Sequence, residues 1–383
     1  MTTQPRDPSQ LWTVAGGGPG RRGLWGGRVH LEPEPIRRLP ARGAVQASVV
    51  FDAEDRVLVA DMAGWIQAFS SEGRPLWQRP LEGAVSASPA VDAAKGRVYV
   101  GTHLGWVYAL STADGAVLWR QRLPTQSDAR IVADLLFLPL AQTVVMSSWG
   151  GRYHALEAET GEPGRSWDAG ISPQAGASAD DSGTLYFNRA VRGEGVACVR
   201  LAGDGTETVL HRQPEGQRGA GRMLTSASPL VDDTRSVVYF CVNGDLETRV
   251  RAWSLREESL LWSREVARFT VATPALCEDG AVVLAGLDGG LRAFDASGTP
   301  RFSYATGAEY LLAGPVGDAE GNVFLGDPLG RVHAVDRAGA GRVLFEAPRS
   351  IQARPAFDRH GHLHVGCTDR TVIVFRNRLA TAD

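Results

Sequence analysis

Four sets of side chains in this chain are of types that carry chemistry, and each points to a different use. Arg130, Arg222 and Arg354 each fall just before or at the start of a short apolar run, on one side of a repeating unit, so that three guanidinium forks could clamp a carboxylate or phosphate. Their competing use is salt bridging to nearby Asp residues. Asp61, Asp245, Asp288, Asp327 and Asp369 recur in turn-like stretches, where a ring of carboxylates would draw a cation or a basic peptide. An Asp in a tight turn more commonly accepts that turn's own backbone N–H groups, and Asp288-Gly289-Gly290 reads that way directly. Trp149 and His103 stand at turn tips with no core to fill, which makes them the aromatic candidates for ligand contact. Finally, His360, His362 and His364 alternate, and on a strand the last two would share a face as metal ligands do. Both occupy positions that Arg97 and Tyr99 hold elsewhere in the repeat, so ordinary strand roles are expected and no metal is.

Other chemistries find little support. Lys95 is the single lysine and falls in an expected hairpin turn, which leaves Schiff-base chemistry without a credible residue. Cys198, Cys241, Cys277 and Cys367 form no CxxC or adjacent pair, so buried free thiols are expected. The run Ala15-Gly16-Gly17-Gly18-Pro19-Gly20 precedes no helical pattern, as a phosphate loop would. A net charge of −3 without any block of like charges leaves no footprint for nucleic acid or an anionic membrane. Met1 to Asp7 lack the apolar core of a signal peptide, and no run is long enough to span a bilayer; a soluble, cytoplasmic, monomeric chain is expected.

Elements that could position these residues must be short strands and tight turns. The stretches Val57 to Phe69, Val98 to Leu110 and Val283 to Phe294 share one grammar of β-branched run, Gly turn and second run. One column in the third strand, Ala68, Ala109, Ala155, Arg200, Ala252, Ala293, Ala334 and Val374, recurs every 40 to 52 residues. That is the period of a four-stranded propeller blade, and eight members mean eight blades. An outer-strand column holds only seven members: Trp77, Trp119, Trp167, His211, Trp262, Phe302 and Phe345. The eighth unit, from Arg354, runs out of chain after three strands. Residues 35–44 resemble the outer strand and loop of residues 75–84, and are expected to supply the missing strand and close the ring.

The segments Thr112-Ala113-Asp114-Gly115-Ala116-Val117-Leu118-Trp119 and Glu157 to Trp167 resemble the tryptophan-docking motif of pyrroloquinoline-quinone (PQQ)-like propellers. The opening Leu11 to Gly23 is similar to the Trp, Gly-Gly, Pro, Arg, Gly segment of such proteins, and the likeness covers residues 11 to 378. It implies an all-β fold, a single eight-bladed β-propeller of four-stranded antiparallel blades with the last blade closed by an N-terminal strand. Residues 1–34 are then an N-terminal segment packing on the propeller, 35–378 the propeller, and 379–383 a tail. Units 4, 6 and 7 depart from the motif, carrying His211, Phe302 and Phe345 in place of Trp.

Quinone-dependent dehydrogenases of this family are recognised by a vicinal cysteine pair, a calcium site of carboxylates and amides, and a catalytic Asp. No adjacent cysteines and no dense Glu, Asn and Asp insertion occur here, so quinone oxidation is not expected and no cofactor is. The same propeller serves as an exported scaffold of outer-membrane assembly, a job not expected of a chain without an export signal. The function expected is binding of a peptide or protein on the funnel face by Arg130, Trp149, Arg222, Arg354, His103 and the turn Asp residues. The alternative is a tailoring or isomerising enzyme with a small-molecule ligand at the same place.

Overall fold

A computed structural model describes residues 11–124, 127–171, 173–214, 227–243, 248–266 and 270–378. They form eight four-stranded antiparallel sheets set around an axis, an all-β eight-bladed propeller. Blades 1 to 4 begin with inner strands Val50–Phe51, Ala90–Asp92, Leu136–Leu138 and Ser178–Ala179, and end with outer strands Pro75–Pro80, Val117–Arg122, Pro163–Asp168 and Glu207–Gln213. Blades 5 to 7 run from Leu230–Asp232, Ala275–Leu276 and Val316–Gly317 to Ser259–Val266, Pro300–Ala305 and Gly341–Glu346. In blade 8, Ala356–Phe357, Leu363–Cys367 and Thr371–Arg376 are joined by Glu34–Pro40, with Leu39 opposite Val372 and Pro40 opposite Thr371. The two parts of the chain thus close the ring and leave no open inter-blade edge.

Middle strands such as Val57–Ala60 are buried throughout because neighbouring blades cover both sheet faces, whereas the outer strand Pro75–Pro80 alternates exposed and half-buried residues. The connections from each outer strand to the next inner strand, and the hairpins between second and third strands, open on one side of the ring, called here the hairpin face.

Blades dock through an aromatic that covers a turn glycine of the next blade. Trp77, Trp119, Trp262 and Phe302 lie over Gly115, Gly161, Gly298 and Gly339, where an added Cβ would fall 2.4 to 2.6 Å from the docked side chain. The three indoles also donate, to Thr112 O (2.8 Å), Ala158 O (3.0 Å) and Ala296 O (2.9 Å). Phe302 therefore replaces Trp in place. In blades 3, 4 and 7 the aromatics of the outer-strand column do not share one register with the others: Trp167, His211 and Phe345 stand opposite Tyr153, Cys198 and Val332, whereas Trp77, Trp119, Trp262 and Phe302 stand opposite Ala68, Ala109, Ala252 and Ala293. Trp167 turns onto Tyr153 and Phe187 and its indole N–H has no partner among the described residues, while Arg165 covers Gly205 of blade 4.

The N-terminal segment threads the axis at the end away from the hairpins. Carbonyls of Trp12, Thr13, Pro19, Gly20, Arg22 and Gly23 accept from Phe51, Val91, Ala179, Val231, Leu276 and Gly317, one bond to the inner strand of each of blades 1, 2, 4, 5, 6 and 7. Arg21 reaches blade 3 by donating to the carbonyls of Asp134 and Leu135, each at 3.0 Å. Blade 8 is met by Trp12 and Trp25, whose rings lie 5.8 and 5.7 Å from that of Phe357. Free inner-strand N–H groups would otherwise line the axis unpaired.

Candidate functional site

The hairpin face of blades 1 to 3 carries one arrangement three times, an Arg guanidinium over a Trp ring. Arg42 lies 5.4 Å from the Trp65 ring, Arg120 5.0 Å from Trp106, and Arg130 5.1 Å from Trp149. Trp65 and Trp106 follow the hairpin glycines Gly64 and Gly105, whose positive φ values of 78° and 76° turn the chain so that the next side chain stands at the strand mouth. Arg130 is further held by Asp128, with Nε 2.8 Å from Oδ2, and Arg120 pairs with Glu82. Half-exposed Trp rings are thereby pre-set in one orientation by cation–π contact and ion pairing. Leu104 (55% exposed) stands at the hairpin tip of blade 2 and Leu329 (59%) at that of blade 7, and Tyr310 and Leu312 are exposed on the loop into blade 7.

His103 joins this group. Its Nε2 is 2.7 Å from Ser86 Oγ, and burial, then the charge of Arg130, lowers its pKa and favours the neutral ring. The structure thus gathers His103, Arg130 and Trp149. Arg354 is placed apart, buried against the axis with Nε donating to Pro315 O (3.1 Å), Nη1 to Arg21 O (3.3 Å) and Nη2 to Pro274 O (2.7 Å). Burial pulls it down to about 9, with Asp134 opposing and Arg21 adding to the shift. Its donors serve the closure of the ring, so it forms no clamp with Arg130. Arg222 and Asp245 lie outside the described residues.

The remaining acidic candidates serve their own turns. Asp61 accepts from the N–H groups of Arg42 (2.9 Å), Gly43 (3.0 Å) and Ala63 (2.9 Å). Asp327 takes the N–H groups of Leu329 and Arg331 and also meets Arg331 Nε (2.7 Å) and His333 Nε2 (3.0 Å). Asp288 accepts from Gly290 N–H and Arg292, and Asp369 from Thr371 Oγ1, with Arg38 at 3.6 Å. These carboxylates are spent within their blades and make no ring for a cation. His362 Nδ1 and His364 Nε2 do converge, but on one oxygen of Asp358 at 3.0 and 3.2 Å, which locks the turn of blade 8.

The axis holds a cavity of about 140 Å³ lined by all eight blades, among them Gln46, Ser88, Asp134, Gln174, Thr273 and Arg354. These residues do not fit the quinone and calcium of the family's enzymes. Asp134 is the one carboxylate on the wall among the described residues, and its oxygens already meet Ser88 N–H (2.8 Å) and Arg21 (3.7 Å). Among the described residues no cluster of three or more His, Cys, Asp or Glu is placed to hold a metal, and all four cysteines are buried free thiols.

Sequence reasoning missed Arg42, Trp65, Trp106, Arg120, Leu104 and Leu329. The signal available was Gly-Trp at the end of a hairpin, present in both Gly64-Trp65 and Gly105-Trp106.

Comparison with known proteins gives a consistent answer. A family model described as outer membrane protein assembly factor BamB matches residues 3–239 and 211–355. The outer membrane protein assembly factors BamB of Escherichia coli (strain K12) and Shigella dysenteriae serotype 1 (strain Sd197) are each 34% identical over 89 residues, 21% of this chain and 23% of theirs. The matched stretch thus spans less than a quarter of these relatives. Among solved structures, BamB from Moraxella catarrhalis superposes with a TM-score of 0.70 at 17% identity, covering 90% of this chain and 97% of that one. The quinohemoprotein alcohol dehydrogenase of Comamonas testosteroni gives 0.76 at 14% identity, over 96% of this chain and 80% of that one. At such identities the likeness is one of fold.

Proposed function

This chain belongs to the PQQ-like β-propeller family whose model is described as outer membrane protein assembly factor BamB, and from that premise we propose that it is a non-enzymatic scaffold that binds a protein or peptide on its hairpin face. The observation that carries the reading is the triple Arg-over-Trp arrangement on blades 1 to 3, with Leu104 exposed on the blade 2 hairpin and Leu329 on the blade 7 hairpin of the same face. Trp, Tyr and Arg on a rigid frame are the residues that dominate protein interfaces, because they bury large area while losing little side-chain freedom. The naming of relatives as assembly factors supports the same direction.

The reading is of a cytoplasmic binder that acts as a monomer; fractionation of a tagged chain and a light-scattering mass test those two points. The binding itself is tested by replacing Trp106 and Trp149 with Ser. A protein recovered with the wild-type chain should be lost from the double variant, by about 2 kcal/mol or more per anchor, while the melting temperature stays within a few degrees. Equal recovery from both chains would contradict the reading.

A further inference from the structure

At the seam where blade 8 meets blade 1, the hairpin face holds a groove of about 590 Å³ whose walls include Arg42, Arg349 and Arg370, with Met62, Ala63 and Asp369. Ion pairing elsewhere on the molecule is extensive: Arg120, Arg130, Arg292 and Arg331 each have a carboxylate partner. Among the described residues none of the three groove arginines has one within 4.0 Å, and all three are exposed. Asp369, the carboxylate of this wall, is taken by Arg38 and Thr371, and nearby Asp61 by backbone N–H groups. The groove therefore keeps an uncompensated positive charge in a chain whose net charge is −3.

Backbone geometry adds a second, independent sign. The last residue of the hairpin turn has positive φ in blades 1, 2, 3, 6 and 7, where it is Gly64, Gly105, Gly151, Gly289 and Gly330. In blade 8 that position is Arg370, at φ 72°. A glycine, having no Cβ, would sit there without strain, so folding alone does not favour a guanidinium at this point. Its neighbours are fixed as well. The Arg370 carbonyl accepts from Ala41 N–H, the Arg42 N–H is bound by Asp61, and Ser350 O, next to Arg349, accepts from Thr368 N–H. Three chain segments thus bring three arginines without a carboxylate partner among the described residues to the walls of one groove, the Arg42 guanidinium being held at its rim by Gln78 Oε1 (3.0 Å) and the Trp65 ring.

We propose that this groove receives a carboxylate-rich peptide segment of the partner, with an apolar side chain of that segment against Met62 and Ala63. Guanidinium forks match carboxylates in geometry as well as charge. Met62 and Ala63 on the wall favour a short acidic peptide with apolar side chains over a nucleic acid strand, whose backbone needs a longer track of cations. The proposal rests on the protein-binding reading of the hairpin face and names the chemistry of one part of that partner.

The test uses a fluorescein-labelled peptide alternating Glu with Leu, a second alternating Gln with Leu, and a labelled single-stranded oligonucleotide, read by anisotropy against the full chain. The Glu peptide should bind, the Gln peptide should bind about tenfold more weakly or not at all, and raised salt should weaken the first. Arg370→Gly should reduce Glu-peptide affinity about tenfold with a melting temperature equal to or above wild type, and Arg42→Gln with Arg349→Gln should abolish it. Equal binding of Glu and Gln peptides, unchanged affinity in the variants, or oligonucleotide binding with the same arginine dependence would each overturn the proposal. A photo-crosslinker at Leu104 that still captures a protein partner while the Glu peptide fails would overturn the groove alone; loss of both would overturn the face.

Discussion

Burial, then the charge of Arg130, lowers the pKa of His103, so its ring should remain neutral to a lower pH than a free imidazole does, which is half-protonated near 6.5. An NMR titration should place its midpoint below that value, and Arg130→Ala should move it upward; no movement would separate the two residues that the site account joins. At this scale the turn role of Asp288 was legible in the sequence, because Asp-Gly-Gly chemistry is local. Arg354 was not. Its acceptors, Pro274, Pro315 and Arg21, come from three distant points of the chain, and only the closed ring brings them to one guanidinium. Arg42 escaped for a related reason: its aromatic partner Trp65 lies across a strand pairing that exists only after Glu34–Pro40 has joined blade 8.

Blade docking is where strand-level reasoning both worked and failed. The period and the missing eighth outer strand could be counted from small and aromatic residues, since every blade repeats the same burial. Which aromatic meets the next blade could not be counted, because it depends on the register of the outer strand against the third strand, and spacing along the chain hardly records that register. The difference has energetic content. Trp119→Phe removes the indole bond to Ala158, whereas Trp167→Phe removes none, so denaturant melts should show the first costing about 1 kcal/mol more than the second. Gly161→Ala, which sets a Cβ against Trp119 at φ 78°, should cost on the order of 2 kcal/mol. Equal values for Trp119→Phe and Trp167→Phe would contradict the docking assignment.

The ring behaves as one body because its N-terminal segment is bonded to the inner strands of six blades by backbone and to a seventh by Arg21. Deleting residues up to Leu24 should lower the melting temperature by roughly 10 °C or more and broaden the transition, since those strands lose their acceptors together; an unchanged melt would refute the stitching role. Acid should also act on the whole ring. Burial, then the charge of Arg152, holds His154 down to about 4, and burial likewise lowers His211 and His333. The unfolded chain takes up protons first, so the stability present above about pH 6.5 should be lost as pH falls towards 4, and His154→Gln should flatten that loss. What the closed ring leaves accessible is the hairpin face, and the claim that this face binds a protein is open to one direct measurement. A photo-crosslinking residue is placed in turn at Leu104, Tyr310 and Leu329 on the hairpin face, and at Glu54 and Asp181 on turns of the opposite side, and adducts formed in cells are identified by mass. The account predicts one shared protein adduct from the first three positions and none from the other two; adducts confined to Glu54 and Asp181, or none from the hairpin face, would contradict it.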